Sequence, residues 1–220
     1  MIPLKDDVEA DSFPIVNLCL IIANIIVFAY TCGLPQSFYV EHCLVPSRFA
    51  AHCDLQQIST SFQSQFLHAG IFHLLGNMWF LWIFGDNVED GLGHIEYLVF
   101  YLLCGFGGDI AHVLVHPTST LPCLGASGAI AGVMGAYVLL YPHAKVKVLW
   151  DDFWIWTYSW PAWVIIGEWW VLQALFGVVL SDSSSNVGYM AHLGGFAAGM
   201  ILIMLFSKRE LQATPQEARW

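Results

Sequence analysis

Apolar residues run along this chain in long blocks, without the alternation of a half-buried strand or the single stripe of a surface helix. Six blocks stand out, at residues 14–32, 67–84, 95–115, 125–141, 161–180 and 187–206. A helix needs about 20 apolar residues to cross a hydrocarbon core. Hydropathy and length assign each block to one such helix. The expected fold is all-α: a polytopic membrane protein built as a six-transmembrane-helix bundle over 14–206. A cytoplasmic tail is expected on either side, at 1–13 and 207–220. Between the first two blocks, residues 33–66 carry Pro35, Pro46 and the aromatics Phe38, Tyr39 and Phe49. This loop holds two short amphipathic stretches and is too apolar for a solvated linker, so it is expected to lie partly in the interface. Leu121-Pro122 and residues 181–186 read as tight polar connections.

Composition agrees with a membrane class. The 220 residues are 57% hydrophobic and 11% charged, against about 25% charged in an ordinary soluble domain. The net charge of -10 leaves no basic patch to neutralise phosphates, which excludes nucleic acid as a partner. Four acids and one Lys5 in the first 13 residues are the wrong charge for a signal-peptide start. Of the seven basic residues, Lys5, Lys145, Lys147, Lys208, Arg209 and Arg219 fall on one side of the six-helix arrangement and Arg48 on the other. The positive-inside rule then puts both termini in the cytoplasm, and helices two, four and six enter from the outer face. The plasma membrane is the expected location. The six cysteines have no CxxC spacing. Cys43 and Cys53 share the outer loop, where a disulfide is permitted; the alternative is that both are free and buried.

Polar residues in such helices are costly and mark the bundle interior or a water-filled cavity. Helix four opens on Gly125-Ala126-Ser127-Gly128-Ala129, helix six on Met190-Ala191-His192-Leu193-Gly194-Gly195, and helix two carries His68, His73 and Asn77. Each lies within about three turns of the outer end of its helix. Gly128, Gly132 and Gly135 on helix four, and Ala191, Gly195 and Gly199 on helix six, are small residues spaced for close backbone packing. That packing can bring the Ser127 hydroxyl to the His192 ring, and a hydroxyl becomes a useful nucleophile when an adjacent base takes its proton. His73 and Asn77, four apart on one face, can donate to one point. With the Ser127 N–H they make an oxyanion hole. Taken singly, a Ser, a His, an Asn or a GxxxG pattern in a membrane helix is ordinarily a packing or hydrogen-bonding device. Their convergence at one depth favours chemistry.

Three segments are similar to the signature regions of the rhomboid family: residues 66–78 (FLHAGIFHLLGNM), 125–130 (GASGAI) and 191–196 (AHLGGF). The resemblance runs through nearly the whole chain. It implies an intramembrane serine endopeptidase that cleaves transmembrane segments of other proteins near the outer face. By it, Ser127 is the nucleophile, His192 the base, His73 and Asn77 the oxyanion pair, and His68 a further histidine near the outer mouth. Residues 84–90 (FGDNVED) resemble the segment at the inner end of helix two, where the acid is structural. The implied partners are transmembrane protein substrates and the lipid bilayer; no cofactor and no metal are implied. Some members carry a Tyr one turn after the nucleophile, packed on the base; here that position is Ala131. What orients His192 is therefore open.

Other chemistries fit less well. An aspartyl intramembrane protease needs GxGD, but Phe106 stands before Gly107-Gly108-Asp109. HExxH is absent, and Ala129 replaces the last Gly of a G-x-S-x-G elbow. From another class, a transporter or channel could relay protons through Asp109, His112 and Glu168. Asp109 could pair with His112, three residues on. For Asp109 and Glu168 an interhelical hydrogen bond or a protonated acid is the favoured reading.

Overall fold

The computed structural model describes residues 2–152, 154–179 and 188–206. The residues 180–187 and 207–220, which include the expected 181–186 connection and the C-terminal tail, lie outside it. Strand β1 (Ile2–Lys5) precedes helix α1 (Ile15–Thr31). Three short helices follow: α2 (Gln36–His42), α3 (Pro46–Ala51) and α4 (Leu55–Ser64). Then come α5 (Ile71–Leu92), α6 (His94–Val115), α7 (Ser127–Leu140), strands β2 (Lys145–Asp152) and β3 (Trp154–Pro161), α8 (Ala162–Val179) and α9 (Tyr189–Phe206).

The protein is mostly helical, but the all-α expectation is corrected by a three-stranded antiparallel sheet of order β1-β2-β3. Its cause is legible in Lys145-Val146-Lys147-Val148, an alternation of period two. Val146 and Val148 are fully buried against the helices while Lys145 and Lys147 are exposed, as a half-covered strand requires. Residues 2–12, read above as a tail, are tied to the bundle instead. Lys5 pairs with Lys147, Trp79 donates its indole N–H to the Pro3 carbonyl at 2.6 Å, and the Ser12 hydroxyl bonds Asp90 at 2.6 Å.

Helix α1 starts after Pro14 with no side-chain cap of its own, leaving N–H groups that need acceptors. The fully buried Glu89 of α5 supplies them, accepting from Val16 N at 2.9 Å and Asn17 N at 2.7 Å. The same carboxylate also meets His94 Nδ1, at 2.5 Å. Asn17 then wedges against α5, donating to the Leu81 carbonyl at 3.1 Å and accepting from Tyr97 Oη at 2.9 Å. A Cβ on Gly85 would lie 2.1 Å from Asn17 Oδ1, so only glycine admits this approach. The turn from α5 to α6 is made at Gly93, whose φ of +94° suits glycine.

Helices α6, α7 and α9 form the tightest group. A Cβ on Gly195 would sit 2.0 Å from the Gly128 carbonyl oxygen, and one on Gly199 2.0 Å from that of Gly132. On the third side, a Cβ on Gly194 would sit 2.2 Å from Ala111 Cβ. Backbones therefore touch where side chains usually intervene, as small-residue packing allows. The outward faces of the long helices carry exposed apolar residues, among them Ile26, Trp82, Leu114 and Leu205. Of the described helices, α6 and α9 are long and apolar enough to cross a membrane, while α1, α7 and α8 contain shorter apolar stretches.

Candidate active site

Ser127 opens α7, where the first N–H groups of a helix have no intrahelical partners. His192 lies one turn into α9. The α7–α9 glycine contact sets the two helices so that His192 Nε2 meets Ser127 Oγ at 2.8 Å. This distance is a full hydrogen bond. The other ring nitrogen, Nδ1, lies 2.8 Å from Gln173 Oε1 of α8. Two rings flank the imidazole: Trp169 with centroids 5.9 Å apart and Tyr189 at 6.5 Å.

The expected oxyanion residues stand across a cavity of about 1060 Å³ that Ser127, His192, His73 and Asn77 all line. Gly125 approaches them at φ +123°, and a Cβ there would fall 2.8 Å from His73 Nε2 and 3.7 Å from Asn77 Nδ2. The glycine keeps open the space in front of both donors. Asn77 Nδ2 lies 2.9 Å from His68 Nε2, and the His68 and His73 rings are 5.1 Å apart, edge to face. His68 is fully buried and sits before α5 rather than inside a helix, because α5 begins at Ile71.

For Asp109 the favoured interhelical hydrogen bond is the one observed. Asp109 does not pair with His112; it accepts from Ser61 Oγ of α4 at 2.5 Å. His112 instead faces His116, ring to ring at 5.1 Å. Asp109 and His112 line the cavity, but Glu168 is exposed on α8 and does not, so the three groups of the relay reading are not joined. Cys43 and Cys53 are both free, the first buried and the second exposed. Cys43 is turned inward because Leu44 beside it bridges to Cys123, whose N–H donates to the Leu44 carbonyl at 2.7 Å. Burial pushes the Cys43 thiol up to about 12.

Gln173 is the contact that sequence reasoning missed. Its signal was available: it is the one amide in the apolar block 161–180, four residues after Trp169 and so on the same helical face.

Exposed apolar flanks around a hydrogen-bonded Ser–His pair that opens on a cavity are the architecture of a membrane protein with a polar interior site. The chain belongs to the rhomboid family: the Rhomboid domain model matches residues 55–209. It is 30% identical over 164 residues to Rhomboid-like protein 11, chloroplastic, of Arabidopsis thaliana, covering 70% of this chain and 54% of that one. It is 32% identical over 168 residues to Rhomboid protein 1, mitochondrial, of Saccharomyces cerevisiae, covering 71% and 45%. To Rhomboid protease GluP of Bacillus subtilis it is 36% identical over 153 residues, covering 67% and 27%. The chain thus spans about half or less of the length of these relatives. As a rhomboid family member it is a membrane protein, which its apolar helices fit.

Proposed function

We propose that this protein is an intramembrane serine endopeptidase that uses Ser127 and His192 as a catalytic dyad. The observation that carries the reading is the 2.8 Å contact between His192 Nε2 and Ser127 Oγ beside a cavity large enough for a peptide segment. Ser127 passes its proton to Nε2 as its oxygen attacks a peptide carbonyl. The negative oxygen of the tetrahedral intermediate is met by the Ser127 N–H, His73 and Asn77. Breakdown takes the proton from Nε2 to the leaving amine and leaves an acyl-Ser127. Water, deprotonated by the same base, then hydrolyses that ester. Preorganised donors of this kind are commonly the largest single contribution to such a rate.

The substrate in this reading is a transmembrane segment of another protein. A hydrogen-bonded helix hides its carbonyls, so the segment must unwind locally, and Gly, Ala or Pro near the cut should speed cleavage. The long helices α1, α5, α6, α7, α8 and α9 are the six spans of a membrane domain over 14–206. The N-terminal residues and 207–220 lie on the cytoplasmic side of the plasma membrane. Lys5 and Lys147 are cross-strand partners in the sheet that follows α7, away from Ser127 at the other end of that helix, which supports this orientation.

The test is cleavage of a model single-span substrate by purified wild type and Ser127→Ala, with thermal unfolding as the folding control. Ser127→Ala should abolish turnover and leave unfolding unchanged. A folded Ser127→Ala protein that cleaves at the wild-type rate would sink the proposal.

A further inference from the structure

The dyad needs more than proximity. Nε2 can accept the serine proton only if the neutral ring carries its own proton on Nδ1. The tautomer is set by whatever bonds the other nitrogen. Ala131 leaves no side chain on α7 long enough to do this, and the backbone of α9 contributes the His192 N–H to the Gly188 carbonyl, not to the ring. The ring's partner is Gln173 Oε1, an amide oxygen at 2.8 Å. Trp169, one turn earlier on α8, lies against the same ring at an interplanar angle of 35°. One face of α8 therefore supplies both an acceptor and a wall for the imidazole.

We propose that Gln173 is the positioning residue of the dyad: its Oε1 accepts the His192 Nδ1–H, fixes that tautomer and aims Nε2 at Ser127. This rests on reading Ser127 and His192 as the hydrolytic pair. The amide serves where a third carboxylate would otherwise stand. It stabilises the imidazolium by a neutral dipole and does not bury an extra charge beside the membrane, where an unpaired carboxylate is costly. Trp169 restricts rotation of the ring out of the plane that joins the two bonds. In this arrangement Gln173 never touches substrate; it acts through His192.

Gln173→Leu keeps the size and removes the acceptor, while Gln173→Glu keeps an acceptor oxygen at similar reach. Three quantities are read for each: kcat and KM on a single-span substrate, the rate of Ser127 labelling by a fluorophosphonate, and the ring ¹⁵N shifts of His192, which distinguish the tautomers. Gln173→Leu should lower kcat and the labelling rate together, by at least about tenfold. The loss should stay below the ~10⁴-fold seen when a charged orienting partner is replaced and the tautomer is wrong. KM should hold, and the Nδ1–H signature should be lost. Gln173→Glu should retain that signature and restore kcat towards wild type. If Gln173→Leu does not fold, Gln173→Met, flexible and without an amide oxygen, carries the same expectation. Wild-type kcat and an unchanged tautomer in a folded Gln173→Leu protein would overturn the proposal, as would equal losses in Leu and Glu. The tautomer is read without turnover, so failure of the protease reading itself, seen in Ser127→Ala, is distinguished from failure of the Gln173 role.

Discussion

Asn77 gives its amide to His68: Nδ2 and Nε2 are 2.9 Å apart, and both side chains are buried. Because the amide nitrogen donates, His68 Nε2 accepts, and one Asn77 N–H remains for the cavity. His68 thus braces from behind the amide that the proposed mechanism uses as an oxyanion donor. Asn77→Ala should lower kcat about 10²–10³-fold, the usual cost of one oxyanion donor, and His73→Ala should fall in the same range. His68→Ala should cost less than Asn77→Ala. The His68→Ala/Asn77→Ala double variant should be no slower than Asn77→Ala alone, since His68 acts through Asn77. Initial rates in detergent, with thermal unfolding as control, decide the order; additive losses would place His68 in an independent role.

The glycine seam between α7 and α9 should be as sensitive to substitution as the proposed Ser127–His192 dyad, which it holds together. A Cβ on Gly195 would lie 2.0 Å from the Gly128 carbonyl oxygen, and Gly195 is three residues from His192. Gly195→Ala should destabilise by about 1–3 kcal/mol, the scale of overpacking, and should slow fluorophosphonate labelling of Ser127 by prising the two helices apart. Gly76→Ala is the matched control, because a Cβ there has nothing within 4 Å. Equal behaviour of the two variants in thermal unfolding would remove the seam from the account.

What was readable beforehand followed from strong, repetitive constraints. Long apolar blocks have few folded outcomes, and Ser127, His192, His73 and Asn77 were visible as expensive residues near helix ends. The structure brings these four around one cavity. What escaped was set by tertiary partners. Gln173, an amide in an apolar block, has no local partner to mark it, and only the packing of α8 against α9 brings it to His192. Asp109 found Ser61 because α4 folds back over α6, which no local spacing to His112 could reveal. The sheet's local signal is the alternation Lys145-Val146-Lys147-Val148, four residues that are too few to stand out beside six membrane-length apolar blocks. The tail at the N-terminus became a strand because β2 offered an edge for it.

The cysteines offer a direct chemical check. Cys53 is exposed and Cys43 is buried, with a thiol pushed up to about 12. A thiol reacts as its thiolate, so burial and the raised value both protect Cys43. In folded protein at neutral pH, a maleimide should modify Cys53 rapidly and Cys43 only after denaturation. Intact mass should be the same with and without reductant. A two-dalton gain on reduction, mapped to peptides holding Cys43 and Cys53, would reinstate the disulfide.

Asp6 links the N-terminal segment to the bundle and should make that link pH-dependent. Its Oδ2 accepts from the Tyr137 hydroxyl and from Asn87 Nδ2, the latter at 2.8 Å. Burial still raises its pKa above the ordinary 3.8, with neighbouring Asp7 acting in the same direction and Lys5 and the Tyr137 bond opposing. A carboxyl with a raised folded value binds its proton more tightly folded than unfolded. Stability from this group is therefore gained as pH falls through the raised value, complete below 3.8, and lost again as pH rises. Asp6→Asn removes the titration and keeps an acceptor oxygen for Tyr137. Wild type should gain unfolding temperature relative to Asp6→Asn as pH is lowered from neutrality towards 3.8. Parallel curves for the two proteins across that range would show that Asp6 titrates alike in the folded and unfolded states, against this expectation.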